Sequence, residues 1–125
     1  MPPVLLVAFG GALGAALRFS VAEVIARRSG AEGLPLGTFI INVTGCFLIA
    51  LFLGYASGRS GLAPGWRYLF PIGFVGGYTT FSTYAWEIQR LLERRSFGSA
   101  AAYFIGSNAA GLAAVYAGLW LGRRL

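Results

Sequence analysis

Nine consecutive residues carry most of the chemistry this chain has to offer: Gly76-Gly77-Tyr78-Thr79-Thr80-Phe81-Ser82-Thr83-Tyr84. Two adjacent glycines cost roughly 1 kcal/mol each relative to alanine in a helix interior. The hydroxyl residues that follow favour caps and local turns over continuous helix. The stretch lies inside an apolar segment, and at membrane depth a broken backbone is tolerated only where protein buries it or a polar cavity meets it. Hydroxyl and amide donors, together with the positive edges of aromatic rings, suit a small anion that must exchange its water for a close series of donors. Asn42, Thr79, Thr80, Ser82, Thr83, Ser107 and Asn108 supply such donors near the middles of their segments, and Phe81, Tyr84 and Tyr103 supply the rings.

Other chemistries lack their parts. All ten basic residues are arginine, and the chain has no lysine, histidine or aspartate. With one cysteine, Cys46, and four glutamates (Glu23, Glu32, Glu87 and Glu93), no usual metal-ligand cluster can be assembled. A Ser-His-Asp or Cys-His site is excluded for the same reason, so an enzyme is not expected. Cys46 reads as a small buried apolar side chain. The net charge of +6 does not indicate nucleic acid, because the arginines fall in short clusters between apolar segments, the placement expected of membrane flanks. Gly10-Gly11-x-x-Gly14 is no dinucleotide fingerprint, since no strand precedes it.

The elements that must position these residues are membrane helices. Of 125 residues, 57% are hydrophobic and only 11% charged, against about a quarter charged in a soluble domain. The length allows one domain, residues 1–125. Four apolar segments follow one another at about residues 4–26, 36–57, 68–92 and 97–121, each long enough to cross a bilayer. Met1-Pro2-Pro3 has no basic leader region and Arg18 interrupts the first apolar stretch, so that segment is expected to stay as a transmembrane helix. Gly10 and Gly14 stand one helical turn apart, a spacing that lets backbones approach closely. Arg18 and Glu23 are expected near the interface by snorkelling, and residues 29–35 read as a loop.

In the second segment Thr38, Asn42 and Gly45 share one helical face. In the third, Phe81 and Tyr84 share a face once the helix resumes, and Glu87, Arg90, Glu93, Arg94 and Arg95 mark its exit into water. In the fourth, Tyr103, Ser107 and Gly111 recur every four residues as a partly polar stripe. No carboxylate or arginine is placed clearly at mid-span. Proton-coupled transporters and cation exporters generally need one there, and a cation pore would want acidic rings or ordered carbonyls.

Four crossings put both termini on one side. That side holds Arg59, Arg67, Arg123 and Arg124; the other holds Arg27, Arg28, Arg94 and Arg95, with Arg90 at its edge. Orientation follows an excess of positive charge on the cytoplasmic side, and here neither side has a clear one. The chain either inserts both ways and pairs antiparallel, or a small bias such as the depth of Arg18 or Arg90 sets one orientation. Four helices enclose little room for a pore, so a partner is implied, and a symmetric dimer is the commonest. Each polar residue also has a plainer reading. A Ser or Thr in a membrane helix commonly bonds its own i−4 carbonyl, Asn42 can join helices, and the glycines can serve a close crossing.

The ordered motifs resemble one family. Gly76-Gly77-Tyr78-Thr79-Thr80-Phe81-Ser82-Thr83-Tyr84 closely resembles the GGxTTFSTF signature of the Fluc (CrcB-type) fluoride channels. Gly37-Thr38-x-x-x-Asn42-x-x-Gly45 and Gly10-Gly11-x-x-Gly14-Ala15-x-x-Arg18-Phe19 are similar to that family's second-helix and first-helix motifs. The resemblance covers essentially the whole chain. It implies an all-α integral membrane protein of four transmembrane helices, the third broken at mid-membrane, assembled as an antiparallel dual-topology homodimer in the inner membrane with two pores. It implies a structural sodium ion at the dimer centre, held by the backbone carbonyls of Gly76 and Thr79. The fluoride path would be lined by Asn42, Phe81, Tyr84, Tyr103 and Ser107, with Thr38 and Thr83. Tyr84 stands where phenylalanine is more usual, adding a hydroxyl to an edge-on ring contact, and Gly111 stands where some members carry a serine, shortening the polar track.

The expected function is passive, fluoride-selective export from the cytoplasm, with membrane lipid and a second copy as partners and no organic cofactor. Two rival readings differ from it in kind. A small multidrug-type antiporter would need an embedded glutamate in the first helix, where Gly14 stands instead. A non-conducting assembly subunit would use its glycine faces only for packing.

Overall fold

The computed structural model describes residues 1–29 and 33–125. Glu32 and the middle of the expected 29–35 loop lie outside the described residues. Helix α1 spans Pro3–Ser29, with proline at the first helical position, where its missing N–H costs nothing, and Arg27 and Arg28 in the last turn. Helix α2 spans Leu36–Ser57 and is followed by Gly58. The fourth apolar segment forms helix α6, Phe97–Gly122. These three helices are long and apolar enough to cross a membrane, and among the described residues there is no strand.

The third segment is not one helix. A short turn, α3 (Gly65–Arg67), leads into a π-helical stretch over Tyr68–Val75. Then come α4 (Gly76–Tyr78), two extended residues, and α5 (Phe81–Glu93). Pro71 lies inside the π-helical stretch. Its ring would collide with the carbonyl four residues earlier in an α-helix, and the wider turn relieves that conflict. Helix α5 closes into α6 through a tight reversal: Arg95 N–H bonds the Leu92 carbonyl and Ser96 N–H the Leu91 carbonyl, both at 2.9 Å. Arg95 takes φ 57° there, a position where glycine is usual.

Two glycine seams hold the helices together, and they are interlaced along the chain. Gly10 and Gly14, the buried residues of α1, lie against the backbone of the π-helical stretch. A Cβ on Gly14 would collide with the Phe74 carbonyl and come within 2.8 Å of Tyr78 N, and one on Gly10 would reach Phe74 N at 2.9 Å. From the other side Gly77 sits on the backbone of Gly11. The second seam joins α2 to α6, where Gly54, Gly118 and Gly122 bring backbones together. A Cβ on Gly118 would stand 3.0 Å from Leu51 N. Contact this close replaces a conventional side-chain core with dispersion and backbone complementarity.

Aromatic side chains fill the space between the seams. Phe52, Phe70, Phe74 and Tyr78 form a continuous column with successive ring centroids 5.2, 5.4 and 6.1 Å apart. At one end of the molecule Arg59 lies over the Tyr55 ring and Arg124 over the Trp120 ring, at 4.2 and 3.6 Å. Such pairs place aromatic bodies and fixed charge at a membrane–water boundary.

Candidate functional site

The site is built on the interruption between α4 and α5. Thr79 (φ −83°, ψ 159°) and Thr80 (φ −150°, ψ 115°) are extended, a conformation that suits β-branched residues. Thr80 is the N-cap of α5, its Oγ1 accepting from Thr83 N–H at 3.3 Å. The same hydroxyl donates to Thr83 Oγ1 at 3.0 Å and lies 3.3 Å from Ser82 Oγ. The hydroxyl run therefore restarts a helix, and three of its members converge.

Asn42 braces the gap from α2. Its Oδ1 accepts from Thr80 N–H at 2.8 Å and its Nδ2 donates to the Thr80 carbonyl at 3.0 Å. One Nδ2 hydrogen remains for another acceptor. Gly45, one turn on, makes room for Thr79, since a Cβ there would collide with Thr79 Cγ2. From α1, Arg18 Nη1 reaches the Thr79 carbonyl at 3.4 Å. Arg18 thus points into the site; the expectation that it would snorkel to the interface is corrected. Helix α1 lies so close at Gly14 that the arginine one turn later reaches the break directly.

A second cluster gathers on Glu87. Thr38 Oγ1 donates to Oε1 and the Tyr103 hydroxyl donates to Oε2, each at 2.8 Å. Glu87 was expected to mark an exit into water. Instead it is partly buried and joins α2, α5 and α6. The reason is helical register: Glu87 follows Tyr84 by three positions and so shares its inward face. Two charge-assisted hydrogen bonds compensate the carboxylate. They also commit the single Tyr103 phenol proton to Glu87. A cavity of about 590 Å³ lies outside this pair, lined by Ala22, Ser29, Thr38, Glu87, Arg90 and Arg94 among others.

The third cluster is aromatic. The Tyr84 ring lies 5.8 Å from Phe81 and 5.2 Å from Tyr103, tilted by 48° and 56°. Tyr84 and Tyr103 are buried, whereas Phe81 is 79% exposed on this chain. Ser107, one turn beyond Tyr103, has a buried hydroxyl with no hydrogen-bond partner among the described residues. Asn108 donates to the Tyr84 hydroxyl at 2.9 Å. Of the residues singled out from the sequence, Thr38 and Tyr103 meet through Glu87, and Phe81, Tyr84 and Tyr103 meet as rings. Thr83 meets Thr80, and Asn42 meets the backbone of the break rather than the ring cluster. Glu87 and Arg18 are the participants that sequence reasoning passed over, and the signal for Glu87 was its three-residue spacing from Tyr84.

The remaining ionisable groups of α1 lie elsewhere. Glu23 pairs with Arg27 at 3.5 Å, with both side chains substantially exposed. Among the described residues no group of three or more His, Cys, Asp or Glu side chains could hold a metal ion.

The family profile "CrcB-like protein, Camphor Resistance (CrcB)" matches residues 5–119. The chain belongs to the CrcB family. Among its CrcB relatives, the "Fluoride-specific ion channel FluC" of Acidobacterium capsulatum is 47% identical over 95% of this chain and 94% of its own. The protein of that name from Phenylobacterium zucineum is 44% identical over 100% of this chain and 98% of its own. The one from Solibacter usitatus is 40% identical over 96% and 98%. CrcB membership and the three long apolar helices make this a membrane protein, and the relatives are named as channels, not enzymes.

Proposed function

We propose that this chain is a passive fluoride channel whose path runs along the ring cluster and the polar face of α6. The observation that carries the reading is Ser107, whose buried hydroxyl has no hydrogen-bond partner among the described residues, one turn from a ring that packs on Tyr84. Burying an unpaired donor is unfavourable, and a desolvated anion beside it would remove the cost. The names of the CrcB relatives make fluoride the first ion to test. Export needs no coupling group, because at a negative-inside potential each departing anion gains about 2.3 kcal/mol per 100 mV.

The third segment, 68–92, supplies the remaining one of four crossings in this reading, and the working unit is an antiparallel homodimer with two paths in the inner membrane. Phe81, at 79% exposure, belongs to the ring cluster yet is open on this chain, so a second copy would complete its surroundings. The balanced arginine count favours insertion both ways. A cysteine introduced as Ser60→Cys in a Cys46→Ala background would report it. A membrane-impermeant thiol reagent should label about half the protein in intact cells, and all-or-none labelling would defeat dual topology.

A structural sodium ion fits the residues at the break. In an unbroken helix Thr80 N–H would meet the Gly76 carbonyl, but here it bonds Asn42, leaving Gly76 free to turn to an ion. Gly76 is exposed, and a Cβ there would meet nothing within 4 Å. The Thr79 carbonyl, the second neutral oxygen in this reading, would be shared with Arg18, which donates to it at 3.4 Å.

The deciding experiment is ion-specific efflux from liposomes holding only this protein, with electrodes for fluoride and chloride. Fluoride loss in the presence of valinomycin and potassium, without chloride loss, is expected. Intact protein that passes no fluoride would leave the packing-subunit reading in front.

A further inference from the structure

We propose that Asn108 is a positioning residue for Tyr84: it ties the Tyr84 hydroxyl to α6, so that residue 84 faces the ion path as a ring and not as a hydroxyl donor. The inference rests on the fluoride reading for its functional consequence, and on three hydrogen bonds for its geometry. Asn108 Nδ2 donates to the Tyr84 hydroxyl at 2.9 Å and to the Phe104 carbonyl at 2.8 Å. The Tyr84 hydroxyl in turn donates to the same Phe104 carbonyl at 3.3 Å. Both amide hydrogens and the single phenol hydrogen thus have acceptors inside a closed triangle.

What remains of the phenol oxygen is lone-pair density, which repels an anion. The ring is different. It is buried and tilted against both Phe81 and Tyr103, and its edge carries the positive end of the quadrupole. The sequence led us to expect a hydroxyl added to the ring contact at position 84, and the triangle removes it. Without Asn108 the phenol would keep only its 3.3 Å bond. At membrane depth a polar group with open valence turns to whatever partner is near, which here includes the path itself.

The test is a double-mutant cycle in liposomes, joined to a spectroscopic reading of the bond. Asn108→Leu should lower fluoride efflux about fivefold, the ratio implied by losing one membrane hydrogen bond of ordinary strength. In a Tyr84→Phe background the same substitution should change efflux by less than about twofold, because no hydroxyl is left to hold. An equal loss in both backgrounds would mean that Asn108 acts on the path itself, and would overturn the proposal. In protein carrying 13Cζ-tyrosine, the resonance assigned to Tyr84 by its disappearance in Tyr84→Phe should shift in Asn108→Leu. An unmoved resonance would overturn the proposal whatever the efflux. A shifted resonance in a protein that passes no fluoride would uphold the anchor and remove the fluoride reading instead.

Discussion

Asn42 holds Thr80 by both faces of its backbone, accepting from the N–H at 2.8 Å and donating to the carbonyl at 3.0 Å. A carboxamide is the side chain suited to this task, since it presents one acceptor and one donor side by side, as a peptide group does. At the break between α4 and α5 both backbone polar groups of Thr80 are therefore paired at a depth where water could not serve them. The plainer reading of Asn42 as a joint between helices and the reading of it as an ion contact are compatible, because one amide hydrogen remains.

Replacing Asn42 separates these roles. Asn42→Ala removes both bonds and leaves buried backbone groups unpaired, at a cost of about 1–3 kcal/mol for each; efflux should fall at least about tenfold. Asn42→Asp keeps the acceptor for Thr80 N–H but sets a carboxylate oxygen against the Thr80 carbonyl and puts negative charge beside the path. It should be the more damaging of the two. Initial fluoride efflux from liposomes measures both, and wild-type efflux from Asn42→Asp would exclude Asn42 from the path.

Glu87 should couple Thr38 and Tyr103 energetically. Glutamine can accept from one of the two hydroxyls through its carbonyl, but its NH2 group is a poor partner for the other unless that hydroxyl turns round. Glu87→Gln should destabilise the detergent-solubilised protein by about 1.5–3 kcal/mol, the range for hydrogen bonds to a charged group. Adding Tyr103→Phe should cost little more, because the interaction is already broken. Fully additive shifts in the unfolding transition would show that the two side chains do not depend on one another.

The glycine seam between α1 and the π-helical stretch should tolerate no side chain. Gly14→Ala would drive a methyl group into the Phe74 carbonyl and to within 2.8 Å of Tyr78 N, both backbone atoms that cannot step aside. Loss of the monodisperse folded peak on size-exclusion chromatography is expected. Gly98→Ala meets nothing within 4 Å and should be neutral or stabilising, by up to about 1 kcal/mol of helix propensity. Equal behaviour of the two variants would contradict the packing described for α1.

Sodium should stabilise the folded protein in a saturable way. A ligand that binds only the native state raises the unfolding temperature with its concentration. Transfer from sodium to N-methylglucamine buffer should therefore lower that temperature and slow fluoride efflux. An unfolding curve indifferent to the exchange would remove sodium from the account of Gly76 and Thr79.

The helix break was legible because two glycines and a run of hydroxyl residues disfavour continuous helix on local grounds alone. The seam glycines of α1 were legible for a similar reason, their four-residue spacing. The π-helical stretch was not, since a proline inside an apolar segment is equally compatible with a kinked α-helix. Glu87 was misread because it stands near Arg90, Glu93, Arg94 and Arg95, and a charge cluster at the end of an apolar segment ordinarily meets water. Its partners lie on other helices, 49 and 16 residues away along the chain. Arg18 was misplaced on the same footing: its reach to Thr79 crosses 61 residues, and only the depth of the Gly14 contact brings it there.

The interlacing of the two glycine seams bears on how the chain is made. Helix α1 is made before the backbone it packs on, from Leu69 to Tyr78, which follows some sixty residues later. Helix α2 must likewise wait for Gly118 and Gly122, some seventy residues further along the chain. Neither seam joins neighbours in sequence, so successive hairpins cannot each fold to completion as they enter the bilayer. The early helices must wait in the bilayer for the partners of their seams, which are made later.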